Sequence, residues 1–231
     1  MDPKLLERYR SSSGAAAYRQ KYERSWTRRL SNRRELAMVD RALELAGTSG
    51  RVLDCPCGAG RLTPTILLHA EHVTCADISR AMIGEAQAAL SSLEQADRID
   101  FAVAPANELP FEDDAFDTAV CHRLIHHMAE REERAGVLAE MARVAARRVI
   151  LSFSDDSTRK GRSQRRRGIQ RKRHALMPGD FFEEAAVHGL TPLGKPMRLN
   201  GIFSLVAVAV FAVAGAGKTP APSTPQPDSA T

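Results

Sequence analysis

Three stretches of the chain carry residues whose types and spacing can do chemistry. The first is Val52-Leu53-Asp54-Cys55-Pro56-Cys57-Gly58-Ala59-Gly60-Arg61-Leu62. An apolar run ends in an acid, a turn of small residues follows, and a helix opens after it. Such a turn lets backbone approach a ligand closely, and the helix N-terminus adds free N–H groups. By itself the stretch also reads as a plain strand–turn–helix junction. The second is Asp77, at the end of the next apolar run, Thr74-Cys75-Ala76-Asp77-Ile78-Ser79. An acid there is placed to accept hydrogen bonds from ribose hydroxyls; the plainer alternative is a cap for the helix opening at Ser79. The third is His122-Arg123-Leu124-Ile125-His126-His127, after the run Phe116–Cys121. Histidine titrates near neutrality, so His126 and His127 are candidate general bases; one packed in the core and one at the next helix start is the structural alternative. Zinc wants a tetrahedron of ligands, and no outside Cys or His partners the three histidines, so no metal is expected. Cys55, Cys57, Cys75 and Cys121 fall at strand ends on one edge and read as small buried thiols, with a metal or redox cluster as the alternative. Asp155 and Asp156 follow a fifth strand at the edge where ligands sit, or are solvated loop acids.

These residues need a scaffold, and the pattern around them alternates. Strand-like runs are expected at 51–55, 73–76, 99–104, 116–121 and 147–153. Helices are expected at 33–46, 61–69, 79–93, 130–146 and 178–188, with a further short helix at 18–29. Ser79 is a plausible N-cap, and Gly47 and Gly189 are stops. Strands alternating with helices mean βαβ units and a parallel sheet. Residues 190–193 read as a short strand. The run Gly201–Gly217 is apolar and Val-rich but falls short of the ~20 residues of a spanning helix. It reads as a strand buried on both faces, with a membrane-active segment as the alternative. Residues 216–231, almost without bulky side chains, are expected to be a disordered tail.

Composition bounds the rest. The 231 residues are 43% hydrophobic, which is inconsistent with global disorder and ample for a core. Four cysteines are no disulfide framework, and Met1–Tyr22 is polar, unlike a secretory signal, so a cytoplasmic compartment is expected. The net charge of +5 is uneven. Residues 1–34 hold ten basic and three acidic side chains, residues 159–174 nine basic and none acidic, and the remainder is acidic. Segment 159–173 interrupts the fold and has no apolar face. It suits a solvated insert, an anionic membrane surface or lipid-linked acceptor, or, less well for want of aromatic residues, nucleic acid.

One more stretch completes a family pattern: Asn107-Glu108-Leu109-Pro110-Phe111-Glu112-Asp113-Asp114-Ala115-Phe116-Asp117. The Val-Leu-Asp-x-x-x-Gly-x-Gly turn, the Ala-Asp-Ile-Ser strand end, the Leu-Pro-Phe loop and the Phe-Asp strand ending in Leu-Ile-His-His stand in order over about residues 50–155. In this the chain resembles class I S-adenosylmethionine-dependent methyltransferases, and most of all the group that includes the ubiquinone/menaquinone C-methyltransferases. The resemblance implies an α/β, Rossmann-like fold: a seven-stranded, mostly parallel sheet with helices on both faces and the last strand antiparallel. It implies a domain over 33–215, with 1–32 as a lead-in or lid, and S-adenosylmethionine as cofactor. Asp54, Cys55, Pro56, Cys57, Gly58 and Gly60 would wrap its methionine part. Asp77 would hold the ribose, Ile78 and Met82 would lie against adenine, and His122 would lie beside the cofactor. The family usually has an acid where Pro105 stands, so adenine recognition falls to Ala106 and Asn107. Pro56 is a second departure, in place of the turn's first glycine. An Arg near the cofactor carboxylate is expected from Arg28 or Arg33. The acceptor would be a small or lipid-like molecule methylated at C or O, with a non-catalytic relative and an RNA methyltransferase as rivals. No transmembrane helix is expected, and contact with a membrane would be peripheral.

Overall fold

The computed structural model describes residues 26–168, 174–198 and 205–215. Five strands, β1 (Arg51–Asp54), β2 (His72–Asp77), β3 (Ile99–Val103), β4 (Phe116–Cys121) and β5 (Ala145–Ser154), run parallel. Three more, β6 (Leu190–Pro192), β7 (Met197–Arg198) and β8 (Val206–Val213), complete an eight-stranded sheet of order β3-β2-β1-β4-β5-β8-β6. β8 is antiparallel to β5, and β6 and β7 both pair with β8. The seven-strand expectation did not include β7, a two-residue strand that pairs Met197 with Val208 and Arg198 with Ala207.

The sheet is covered on both faces, and the period of the strands says which residue goes where. Leu53, Ala119, Cys121, Leu151, Phe153, Ala209 and Phe211 enter one core cluster. Val52, Val73, Cys75, Val120, Ile150, Val208 and Val210 enter the other. β8 is thus buried on both faces, which explains its unbroken apolar sequence. Helices α1 (Trp26–Ala46), α2 (Thr63–Ile66) and α3 (Arg80–Leu90) supply residues to the second cluster. Helices α4 (Arg131–Val144) and α6 (Pro178–Ala186) supply the first. Between them, α5 spans Arg159–Arg166.

Three expectations change. The helix expected at 33–46 begins earlier: α1 runs unbroken from Trp26 through residues 32 and 33, taking in the described part of the helix expected at 18–29. Its buried stripe is Glu35, Met38, Val39, Ala42, Leu43 and Ala46, at helical spacing, with an acid as its first member. It ends at Gly47, φ 60°, where Gly47 N–H donates to Glu44 O at 2.9 Å and Thr48 N–H to Leu43 O at 3.0 Å. That left-handed pair of bonds is the stop that a glycine at this position permits. The helix expected at 61–69 is the short α2 followed by hydrogen-bonded turns to Ala70. Part of the basic segment is the helix α5, despite its lack of apolar residues, because Thr158 Oγ1 accepts from Gly161 N–H at 3.0 Å and caps it. The expected lead-in through residue 25, residues 169–173 of the basic segment and the tail 216–231 lie outside the described residues. Among the described residues no helix is long and apolar enough to cross a membrane.

Candidate functional site

The strand order reverses between β1 and β4, and ligands of open α/β sheets bind outside the carboxyl ends of strands at such a point. The site is built there. Asp54, the last residue of β1, is fully buried. Its Oδ2 accepts from Thr63 Oγ1 at 3.1 Å, while Oδ1 has no hydrogen-bond partner among the described residues. Burial pushes its carboxyl up to about 7, with Asp77 adding and Thr63 and Arg61 opposing.

The chain then turns through Cys55–Gly60. Cys55 N–H donates to Val120 O on β4 and Cys57 N–H to Ala76 O on β2, both at 2.9 Å, so the turn is pinned to strands on either side. Gly58 and Gly60 have φ of 56° and 73°, values L side chains rarely take. At Gly60 a Cβ would also lie 2.7 Å from Leu90 Cδ1 on α3. The glycine therefore lets the turn close onto that helix.

Asp77 ends β2 and faces the same turn. Its Oδ2 accepts from Gly58 N–H at 3.0 Å and its Oδ1 from Ser79 N–H at 2.9 Å. Burial raises its pKa, and those two N–H groups oppose the rise. The helix cap is Ser79 itself, whose Oγ accepts from Met82 N–H at 3.2 Å. Asp77 is thus more than a cap: it ties the β1 turn to β2. A carboxylate has room for about four donors, so acceptor capacity remains for a ligand. Met82 is buried against Ala59 of the turn, and Ile78 is half-buried beside it in sequence. Ala106 is half-buried and Asn107 exposed in the loop after β3. That loop is held from α4: Leu109 N–H donates to Glu140 Oε2 at 2.7 Å, and Arg143 donates to Phe111 O at 2.6 Å.

The fourth wall was not visible in the sequence. Glu35 on α1 is 1% exposed. Arg123 grips it with Nε–Oε1 at 2.7 Å and Nη2–Oε2 at 3.0 Å. Arg61 Nη1 lies 3.5 Å away and His122 Nε2 3.4 Å away. Burial pushes Glu35 up, but the charges around it, Arg123 and Arg61 with the Arg123 hydrogen bond, outweigh it and hold the carboxyl below its ordinary value. Burial takes His122 down to about 3 against the pull of Glu35, so its ring is neutral at neutral pH. Arg123 adopts φ 64° and its N–H donates to Ser152 Oγ at 2.6 Å, fixing it between β4 and β5. One carboxylate thus clamps α1 onto the ends of β1 and β4. Arg33, two residues before Glu35, is exposed.

His126 and His127 lie on one 3-10 turn, Ile125–His127, with ring centroids 4.3 Å apart. His126 is buried and His127 half-buried. His174 N–H donates to His126 O at 2.9 Å, bringing the residues after the basic segment against this turn. Asp155 is not a loop acid. It is fully buried, accepting from Ser157 N–H at 2.8 Å and from Arg198 Nε at 2.6 Å. Asp156 pairs with Arg165. All four cysteines are buried free thiols, and among the described residues no group of His, Cys, Asp and Glu is arranged to hold a metal.

A parallel sheet with a glycine turn and a strand-end acid at its switch point is Rossmann-like, the arrangement at which nucleoside-bearing ligands bind in such folds. Comparison with known proteins is more specific. Residues 52–148 match the family model for the methyltransferase domain. An O-methyltransferase (resE) of Aspergillus sclerotiorum is 31% identical over 115 residues, covering 49% of this chain and 44% of the relative. A demethylmenaquinone methyltransferase of Clavibacter sepedonicus is 30% identical over 104 residues, covering 45% and 41%. The chain thus spans under half the length of these curated relatives. The crystal structure of magnesium protoporphyrin IX methyltransferase from Synechocystis PCC 6803 with bound SAH shares the fold, with a TM-score of 0.76 and 21% identity over 92% of this chain and 100% of that one. Residues 52–148 are thus similar to methyltransferase domains, and the chain shares the fold of a solved methyltransferase.

Proposed function

We propose that the chain binds S-adenosylmethionine at the ends of β1 and β2 and transfers its methyl group to a small or lipid-like acceptor at C or O. The observation that carries this is the hydrogen bond from Gly58 N–H to Asp77 Oδ2 at 3.0 Å, which places the close-approach turn and the strand-end acid in one cradle. The fit is chemical as well. Asp54 offers a buried Oδ1 that lacks a donor, suited to an ammonium group such as that of the cofactor's methionine part. Asp77 keeps acceptor capacity for two ribose hydroxyls. Met82 and Ile78 offer an apolar surface to adenine, and Ala106 and Asn107 the edge of its pocket. Pro105 offers no side-chain acceptor, and its carbonyl already accepts from Glu108 N–H at 3.1 Å. A non-catalytic, cofactor-binding or partner-binding relative is the second reading, and Pro105 and Pro56 are what favour it.

When bound, the cofactor supplies an electrophilic methyl group. The chain supplies alignment and, for a protic acceptor, a base. His127 takes that role in this reading, because it is the more accessible of the adjacent pair while His126 is buried. Acceptors of the quinone and porphyrin kind are what the relatives' names indicate for those proteins, and a planar hydroxylated ring would suit the same roles here.

Calorimetry with S-adenosylmethionine tests the cofactor site. Asp77→Ala should cost about 1.5–3 kcal/mol, the scale of hydrogen bonds to a charged group, which is roughly ten- to hundredfold in affinity. Unchanged affinity in a folded variant, or no binding by the parent, refutes it. For the base, His127→Gln should slow transfer to a hydroxyl acceptor by about 10²-fold or more while leaving cofactor affinity alone.

A further inference from the structure

We infer that the outer face of α5 is a binding site for a phosphate or diphosphate group, separate from the cofactor turn. Arg159, Arg162, Ser163, Arg166 and Arg167 line a cavity of about 290 Å³. Positions 159 and 162, 159 and 163, 162 and 166, and 163 and 166 are each three or four apart, so the four share a helix face. Four arginines and one serine line the cavity. Among the described residues no aromatic or apolar side chain lines it, so neither base stacking nor bilayer insertion is built into it by them.

The arginines are held there by the fold. Thr158 caps α5, and Thr158 Oγ1 donates to Asp155 O at 3.2 Å. A Cβ on Gly161 would lie 2.5 Å from Asp156 O, so the first turn of the helix sits directly on the backbone leaving β5. Arg165 pairs with Asp156, and Arg162 donates to Ser157 O. Arg159, Arg166 and Arg167 have no ion pair among the described residues.

Electrostatics says what is missing. Arg159 and Arg162, and Arg162 and Arg166, are like charges at the helix spacings where they repel. The first turn holds no acid, and a cation at a helix N-terminus opposes the macrodipole. An anion in the cavity relieves both. Phosphate matches the fork of donors on each guanidinium, and a diphosphate can engage several at once.

The test is calorimetric titration of the full chain with inorganic pyrophosphate, at low and at physiological salt. The parent should bind saturably and more weakly as salt rises. Arg159→Gln/Arg166→Gln should weaken binding roughly tenfold or more. Arg41→Gln/Arg147→Gln, at exposed sites on α1 and β5, should leave it unchanged. Circular dichroism checks that each variant folds. Co-sedimentation with phosphatidylglycerol and phosphatidylcholine vesicles separates sources: retention on the anionic vesicles that is lost in Arg159→Gln/Arg166→Gln assigns a lipid phosphate, and no retention assigns a soluble one. The inference is overturned if pyrophosphate and anionic vesicles both fail to bind. Equal weakening in the two double variants also overturns it, since that would report net charge and not this cavity.

Discussion

Replacing Glu35 by glutamine removes the charge on which the α1 clamp depends. The carboxylate is buried and holds Arg123 through two bonds of 2.7 and 3.0 Å, with Arg61 at 3.5 Å. Breaking a fully buried pair by removing one partner costs about 3–5 kcal/mol. Here the Arg123 and Arg61 side chains are 19% and 14% exposed, so water screens part of that loss. About 2–3 kcal/mol is therefore expected, or roughly 4–12 °C in midpoint for a chain of this size. The pH dependence distinguishes lost charge from lost packing. The folded pKa of Glu35 lies below its ordinary 4.5. Its stabilisation is thus fully present above about pH 4.5 and is lost as pH falls through the folded value. Urea unfolding of parent and Glu35→Gln should show the full gap near pH 7 and a shrinking gap below about pH 4.5. A gap under about 0.5 kcal/mol at neutrality, the level of an ordinary surface substitution, would refute the clamp. A gap that stays constant with pH would refute its electrostatic origin.

Two further outcomes follow from the turn. Asp54→Asn should stabilise the cofactor-free protein near pH 8 by about 1–3 kcal/mol. The folded pKa of about 7 is raised above the ordinary 3.8, so ionisation destabilises the fold as pH rises through that range; thermal melts at pH 8 and near pH 4 should show the gain at the first and little at the second. The same variant should weaken S-adenosylmethionine, since an amide N–H₂ would stand where Oδ1 now lacks a donor; equal affinity would remove Asp54 from the site. Gly60→Ala should destabilise by about 2–4 kcal/mol, from a left-handed backbone and a Cβ 2.7 Å from Leu90 Cδ1; a denaturation midpoint like the parent's would show that the turn can open away from α3.

What the sequence disclosed and what it hid differ in range. The β1 turn, Asp77 and the alternation of strands and helices are local. Each is written within a dozen residues, and the parallel register then brings Asp77 onto Gly58 without further information. The clamp is not local. Glu35 and Arg123 are 88 residues apart, and Asn32 and Arg61, which share a bond of 2.7 Å, are 29 apart. The signal that could have found Glu35 is its register, since it starts the stripe continued by Met38, Val39, Ala42 and Leu43. An acid on the apolar side of a helix must either lose its charge or meet cations. The arginine-rich stretch through residue 32 reads as a lead-in or lid apart from the helix expected at 33–46, which obscures that register. α5 was hidden by the same arginine-rich appearance. Its helix rests on a capping hydroxyl and on one glycine at a place where a Cβ would lie 2.5 Å from a carbonyl oxygen, neither of which leaves a periodic trace. In both places an acid stands close in sequence, Glu35 after Arg34 and Asp156 before Arg159, but the sequence does not say which way it faces. For α1 the acid was on the helix itself, facing inward toward Arg123. For α5 the described residues pair Arg165 with Asp156 and leave Arg159, Arg166 and Arg167 to an anion from outside the chain.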